Sequence, residues 1–278
     1  MYGAYALMTT ATPSRSQIVN TGTISLQTTH YDGNGPRLLL IHGISSNGGG
    51  WDPIIDDLAE HFSPVAVDLR GHGESTKPES GYLYDNYIGD IEHLLLALDM
   101  ENPLIIGHSL GGIISLWWAA RHPSQAKALV IEDSPLRSGE DFRSAFEEWL
   151  RLNAMPYEEL VQLNMTEHPE WSREMAESRA HAMFSTKRAV FQELMADSMA
   201  NEGVDRLREI EGIKSPVLLV HGDYQTGGMV HPEDIVALTQ RLPNARTVRI
   251  PGGGHTLHRS SKEEFLAAAL PFLLEHSR

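Results

Sequence analysis

Residues Gly107 to Gly111 fit the pattern G-x-S-x-G, with Gly112 directly behind, between the apolar run Leu104-Ile105-Ile106 and a helical stretch. Glycines two places before and after Ser109 let a strand turn sharply into a helix. The serine hydroxyl is then held at the carboxyl edge of a sheet, beside a helix N-terminus. A hydroxyl is a poor nucleophile until a neighbour takes its proton. Among 14 histidines, position selects His255, which follows Pro251 and three glycines behind the strand-like stretch 247–250, late in the chain. His258 reads as its neighbour rather than as a metal ligand. No H-E-x-x-H or comparable carboxylate–histidine spacing occurs, so neither a metal nor another cofactor is expected. Attack on a carbonyl also needs backbone N–H donors for the oxyanion. The candidates are Leu110, directly after the serine, and Ile44, in the glycine-rich run from His42 to Gly50.

The elements that must hold these residues are visible as short runs apolar at every position: 38–41, 65–67, 104–106, 129–131 and 217–220. Such runs suit strands buried on both faces of a parallel sheet. Helical patterns lie between them. Tyr87, Ile91, Leu94, Leu95 and Leu98 share one helix face, and Ser261-x-x-Glu264 reads as a capping box opening a C-terminal helix. Alternating strands and helices predict an α/β sheet with right-handed crossovers. Between 136 and 211 the composition changes: 16 acids and 9 bases, six of the ten methionines, and two glycines. Phe142, Phe146, Trp149 and Leu150 mark one amphipathic helix there, and Phe191, Leu194, Met195 and Met199 another. This stretch reads as a helical insertion whose apolar face covers something.

Composition excludes several classes. A formal charge of −15 repels a phosphate backbone, so no nucleic-acid partner is expected. With no cysteine, the chain can form no disulfide, thiolate nucleophile or thiolate metal site. That fits a reducing compartment, and a cytoplasmic location is expected. Residues 1–22 read as a disordered leader, because the start lacks the charge and the long apolar stretch of a signal peptide. The 19 residues from Asn102 to Ala120 carry no formal charge, but Pro103, three glycines, His108 and Ser109 suit a turn better than a membrane span.

On these motifs the chain resembles the α/β-hydrolase fold superfamily. Ser109 matches its elbow, His42-Gly43 its oxyanion loop, Asp68-x-Arg70-Gly71-His72-Gly73-x-Ser75 its turn after the next strand, and His255 its late histidine. The resemblance implies a mostly parallel, doubly wound α/β sheet. The core would comprise 23–135 and 212–278, and 136–211 would form a helical cap over the active site. A serine nucleophile separates the chain from the haloalkane dehalogenases and epoxide hydrolases of that fold, which use aspartate.

The orienting acid departs from the commonest pattern. Many relatives carry Gly-Glu/Asp-x-Asp after the strand equivalent to Val217–Val220, the second acid being catalytic. Here the run is Gly222-Asp223-Tyr224-Gln225, and an amide supplies no charge. Asp133, after the strand-like run 129–131, resembles the acid of those haloalkane dehalogenases and zearalenone lactonases that take it from this strand. Asp133 is the first candidate and Asp223 the second. Glu132 is the third, because strand side chains alternate and it should face the other side.

The reading that results is a serine hydrolase cleaving a small or medium-sized apolar carboxylic ester or lactone through an acyl-enzyme on Ser109. Cleavage of a C–C or amide bond, or perhydrolysis, by the same triad stays open. So does a slow-turnover ligand receptor on the same fold. The oligomeric state has no signature in the sequence.

Overall fold

The computed structural model describes residues 12–137, 142–169 and 171–278. Its eight strands are β1 (Ser14–Asn20), β2 (Ser25–Tyr31), β3 (Arg37–Ile41), β4 (Ser63–Val67), β5 (Leu104–His108), β6 (Ala128–Glu132), β7 (Val217–His221) and β8 (Ala245–Arg249). They form one sheet in the order β1-β2-β4-β3-β5-β6-β7-β8. β1, β2 and β4 pair antiparallel in succession, and every other neighbouring pair is parallel.

The helices are α1 (Asp52–Ala59), α2 (Tyr84–Ala97), α3 (Leu110–Arg121), α4 (Arg143–Asn153), α5 (Tyr157–Glu167), α6 (Arg173–Ser185), α7 (Arg188–Ala200), α8 (Pro232–Arg241), α9 (Leu257–Ser260) and α10 (Lys262–His276). The uniformly apolar strands make sense because alternate side chains enter two separate cores. Leu39, Ile41, Val65, Ile105, Leu129, Ile131 and Leu219 pack with α2, α3 and α8 on one face. Leu38, Leu40, Ala66, Ile106, Val130, Leu218 and Val220 pack with α1 and α10 on the other. Parallel strands covered on both sides present their carboxyl ends at one edge, where a loop can leave without passing through a core.

Two sequence expectations need correction. The leader expected over 1–22 is ordered in its second half, since β1 pairs with β2 from Ser14↔Tyr31 to Asn20↔Ser25. Its polar sequence hid it: an edge strand can be ordered by a neighbour's hydrogen bonds while burying only Val19. Residues 1–11 of that leader lie outside the described residues. The capping box is not formed either, for the Ser261 side chain caps nothing. Ser261 directly follows α9, and its N–H is held by the Leu257 carbonyl at 2.9 Å.

The uncharged stretch 102–120 holds β5, Ser109 and most of α3. No helix among the described residues is long and apolar enough to cross a membrane. Between β6 and β7 run α4 to α7, whose own small core contains Leu160, Val161, Ala176, Ala180, Met183 and Phe191. The methionines here divide their work, with Met183 buried in that core and Met155 and Met165 packed against it.

Candidate active site

β5 delivers the chain to His108, and α3 begins at Leu110, so Ser109 must make the whole turn. It does so at φ 51 and ψ −117, outside the usual range for a side-chain-bearing residue. Its N–H is held by the Glu132 carbonyl at 3.0 Å. Gly111 is required by close approach, since a Cβ there would stand 2.1 Å from the Ile41 carbonyl oxygen. Gly43 brings the next loop against the elbow, where a Cβ would meet the His108 ring at 2.7 Å and Ser109 Cβ at 2.9 Å.

Five non-glycine residues have positive φ among those described, and three of them are Ser45, Ser109 and Asp133. Strain of this kind gathers where surrounding structure holds functional groups in place. The first-turn amide of Leu110 has no intrahelical partner. The amide of Ile44 donates to no backbone acceptor among the described residues. Both residues border the same pocket as Ser109.

The acid–base arrangement is built at the end of β6. Asp133 is fully buried, and its Oδ2 accepts from His255 Nδ1 at 2.7 Å. The same carboxylate also accepts from the Met229 amide at 2.8 Å and the Gly222 amide at 3.1 Å. Three donors therefore fix its orientation. The His255 side chain keeps 25% exposure, and its carbonyl takes a hydrogen bond from His108 Nε2 at 3.0 Å. Burial drives the His108 ring well below the usual histidine range, so it stays neutral beside the elbow. No hydrogen bond joins the Ser109 side chain to the His255 ring; such contacts commonly tighten only around substrate.

Asp223, the second candidate, lies elsewhere. Its carboxylate takes Arg249 in a two-pronged pair and accepts from the Gly252 amide at 2.8 Å. Arg249 first, and then the Gly252 amide, hold its pKa down at about 2. Glu132, the third, faces away from Asp133 and meets His258: Oε2 lies 2.8 Å from Nδ1, and Oε1 accepts from the His258 amide at 2.9 Å. Sequence reasoning missed this second pair. Its signal was present as two consecutive acids after one strand and two histidines three residues apart.

The remaining motif residues hold loops. His42 Nδ1–H donates to the Gly43 carbonyl at 2.7 Å, while Nε2 accepts from the Leu69 amide at 3.0 Å, and burial lowers its pKa to about 4. Asp68 accepts from the Gly48 amide at 2.6 Å and the Glu74 amide at 2.8 Å. Arg70 forks onto Asp90 in a buried pair. Among the described residues, no group of three or more His, Cys, Asp or Glu side chains is arranged to hold a metal ion.

A half-open pocket with a cavity volume of about 40 Å³ lies over Ser109, lined by Ile44, Leu110, Phe142, Phe146, Trp149 and Leu194. Among the described residues that line it, the one cation is Arg137, which is already bound to both carboxylate oxygens of Asp234 at 2.8 Å. The surface offered to a ligand is therefore mainly apolar.

Comparison with known proteins agrees with this architecture. The sequence profile of the alpha/beta hydrolase fold matches residues 36–203. A 2-(acetamidomethylene)succinate hydrolase of Mesorhizobium japonicum is 27% identical over 266 residues, spanning 93% of this chain and 95% of that protein. An N-formylmaleamate deformylase of Pseudomonas putida is 25% identical over 252 residues, spanning 87% and 90%. The crystal structure of an E-2-(acetamidomethylene)succinate hydrolase superposes with a TM-score of 0.80 at 25% identity, over 94% of this chain and 99% of the other.

Proposed function

Because the chain belongs to the alpha/beta hydrolase fold family, we propose that it is a serine hydrolase cleaving a small, apolar carboxylic ester or lactone. The observation that carries this reading is the 2.7 Å bond between His255 Nδ1 and the buried Asp133 carboxylate, beside a serine on a strained elbow. With Nδ1 committed to Asp133, Nε2 is the ring nitrogen left to take a proton. His255 accepts the Ser109 proton as the hydroxyl attacks the carbonyl carbon. The oxyanion gathers at the Leu110 and Ile44 amides. His255 then protonates the leaving alcohol, and water attacks the acyl-enzyme with His255 again as base. Asp133 keeps the ring in the productive tautomer and stabilises the imidazolium.

The segment 136–211 acts as a cap in this reading, because Phe142, Phe146, Trp149 and Leu194 border the pocket above Ser109. The apolar lining and the engaged Arg137 favour uncharged acyl and alcohol groups. A second reading has one observation in its favour: two relatives are named for substrates bearing an acetamido or N-formyl group. Cleavage at an acylated nitrogen uses the same residues, with an amine in place of the alcohol.

The test is a panel of p-nitrophenyl esters, lactones and N-acyl compounds with Ser109→Ala as control. Multiple turnover on esters or lactones that disappears in Ser109→Ala is the expected result. Turnover confined to N-acyl compounds would replace the leading reading with the second. A single acylation without turnover would mean a receptor. Activity surviving in Ser109→Ala would remove serine catalysis altogether.

A further inference from the structure

Arg179 lies on α6, 134 residues along the chain from Ser45, yet its Nη1 donates to the Ser45 carbonyl at 2.7 Å and its Nη2 to the Ser45 hydroxyl at 3.1 Å. No carboxylate stands within ion-pair distance of its guanidinium among the described residues. Burial first, and the neighbouring Arg259 second, lower its pKa to about 10. The guanidinium thus stays charged near neutral pH, having lost hydration without gaining an anion. An ordinary structural ion pair does not account for it. What it does engage is a serine, 2% exposed, at φ 58 in the left-handed region that favours glycine. That serine directly follows Ile44.

Resting on the reading of Ile44 as an oxyanion donor, we propose that Arg179 is a positioning residue. It holds Ser45 in its left-handed conformation and thereby fixes the direction of the Ile44 N–H. The planar guanidinium suits this task because its donors are fixed relative to one another and meet two acceptors of one residue together. Because Arg179 sits on α6, the oxyanion hole is complete only while that helix is seated on the loop. The segment between β6 and β7 therefore does more than roof the pocket: it finishes the catalytic apparatus beneath it. Arg179 does not border the pocket over Ser109, so it acts on the reaction through Ser45 rather than by touching substrate.

The experiment compares Arg179→Ala, Arg179→Lys, Ser45→Ala and the Ser45→Ala/Arg179→Ala pair on p-nitrophenyl butyrate, with competent sites counted by titration with a sulfonyl fluoride. Losing one oxyanion donor outright costs about 100- to 1,000-fold in kcat, so a misdirected donor should cost roughly 10- to 100-fold. The expected result for Arg179→Ala is that fall in kcat per titrated site, with KM within about twofold. Added guanidinium should restore part of the rate, and Arg179→Lys should lie between parent and alanine. The double variant should be no worse than Arg179→Ala, because the hydroxyl acts only through the arginine. Unchanged kcat per titrated site, or a loss explained wholly by fewer competent sites, overturns the proposal. If the parent itself shows no Ser109-dependent turnover, the hydrolase reading fails instead. The arginine–loop tie is then judged by amide exchange over 42–51, which Arg179→Ala should speed and which, if unchanged, refutes the tie.

Discussion

Two acid–histidine pairs grow from the end of β6. Asp133 binds His255 at 2.7 Å, and Glu132, the residue before it, binds His258 at 2.8 Å. The acids are both fully buried, and the histidines are three residues apart. What differs is the far side of each ring. The His255 side chain keeps 25% exposure beside the elbow, and its Nε2 is uncommitted. The His258 side chain keeps 4%, and its Nε2 lies 3.1 Å from the Gly50 carbonyl. Both His258 nitrogens therefore face oxygen atoms. A ring so committed clamps the end of β6, α9 and the loop around Gly50 together. A histidine–carboxylate contact alone is no sign of catalysis; what sets His255 apart is the nitrogen that its contacts leave free.

The largest expected effect comes from breaking the open pair. Asp133→Asn should lower kcat by about 10⁴ while circular dichroism stays that of the parent. A loss below tenfold would mean that another acid orients His255. Breaking the closed pair should act on stability instead. Glu132→Gln breaks a buried acid–histidine pair by removing one partner, a change that typically costs about 3–5 kcal/mol, readable in urea unfolding. Its kcat per folded molecule should fall far less than that of Asp133→Asn. If kcat collapses and stability does not, the division of labour between the pairs is wrong.

The same pair gives a pH dependence. Burial pushes the Glu132 carboxyl up, but His258 and His108 outweigh it and hold the pKa at about 2. A carboxylate depressed in the folded state stabilises fully above its ordinary value of 4.5, and that stability drains as pH falls through about 2. Urea midpoints of the parent should decline across this window, and those of Glu132→Gln should decline less steeply. The smallest effect belongs to Asp223→Asn. It removes a surface pair with Arg249, of a kind worth little, so kcat/KM should stay within about twofold. A large loss would return Asp223 to the list of orienting acids.

Much of this was legible in the sequence because it is local. The elbow is written in Gly107 and Gly111, whose missing side chains permit backbone approach within five residues and against the next strand. The parallel strands are written in their uninterrupted apolar runs, because both faces must be covered. β1 was not legible, since its order comes from β2 rather than from its own polar residues. The order of preference among the acids was readable only as a ranking. Asp133 and Asp223 each follow a strand of the same sheet, and nothing local separates them.

The tertiary structure decided the rest by where it sent loops. The Gly222 and Met229 amides converge on Asp133, and Arg249 occupies Asp223, so one carboxylate is directed at His255 and the other is already taken. The partners are 26 to 122 residues apart in sequence. So too with Arg179 and Ser45, and with His258 and Gly50. The sequence alone determined which residue types were available and which strand ends would carry them. Which acid meets which base, and which ring nitrogen stays free, depends on contacts between distant segments, and those exist only once the chain has packed.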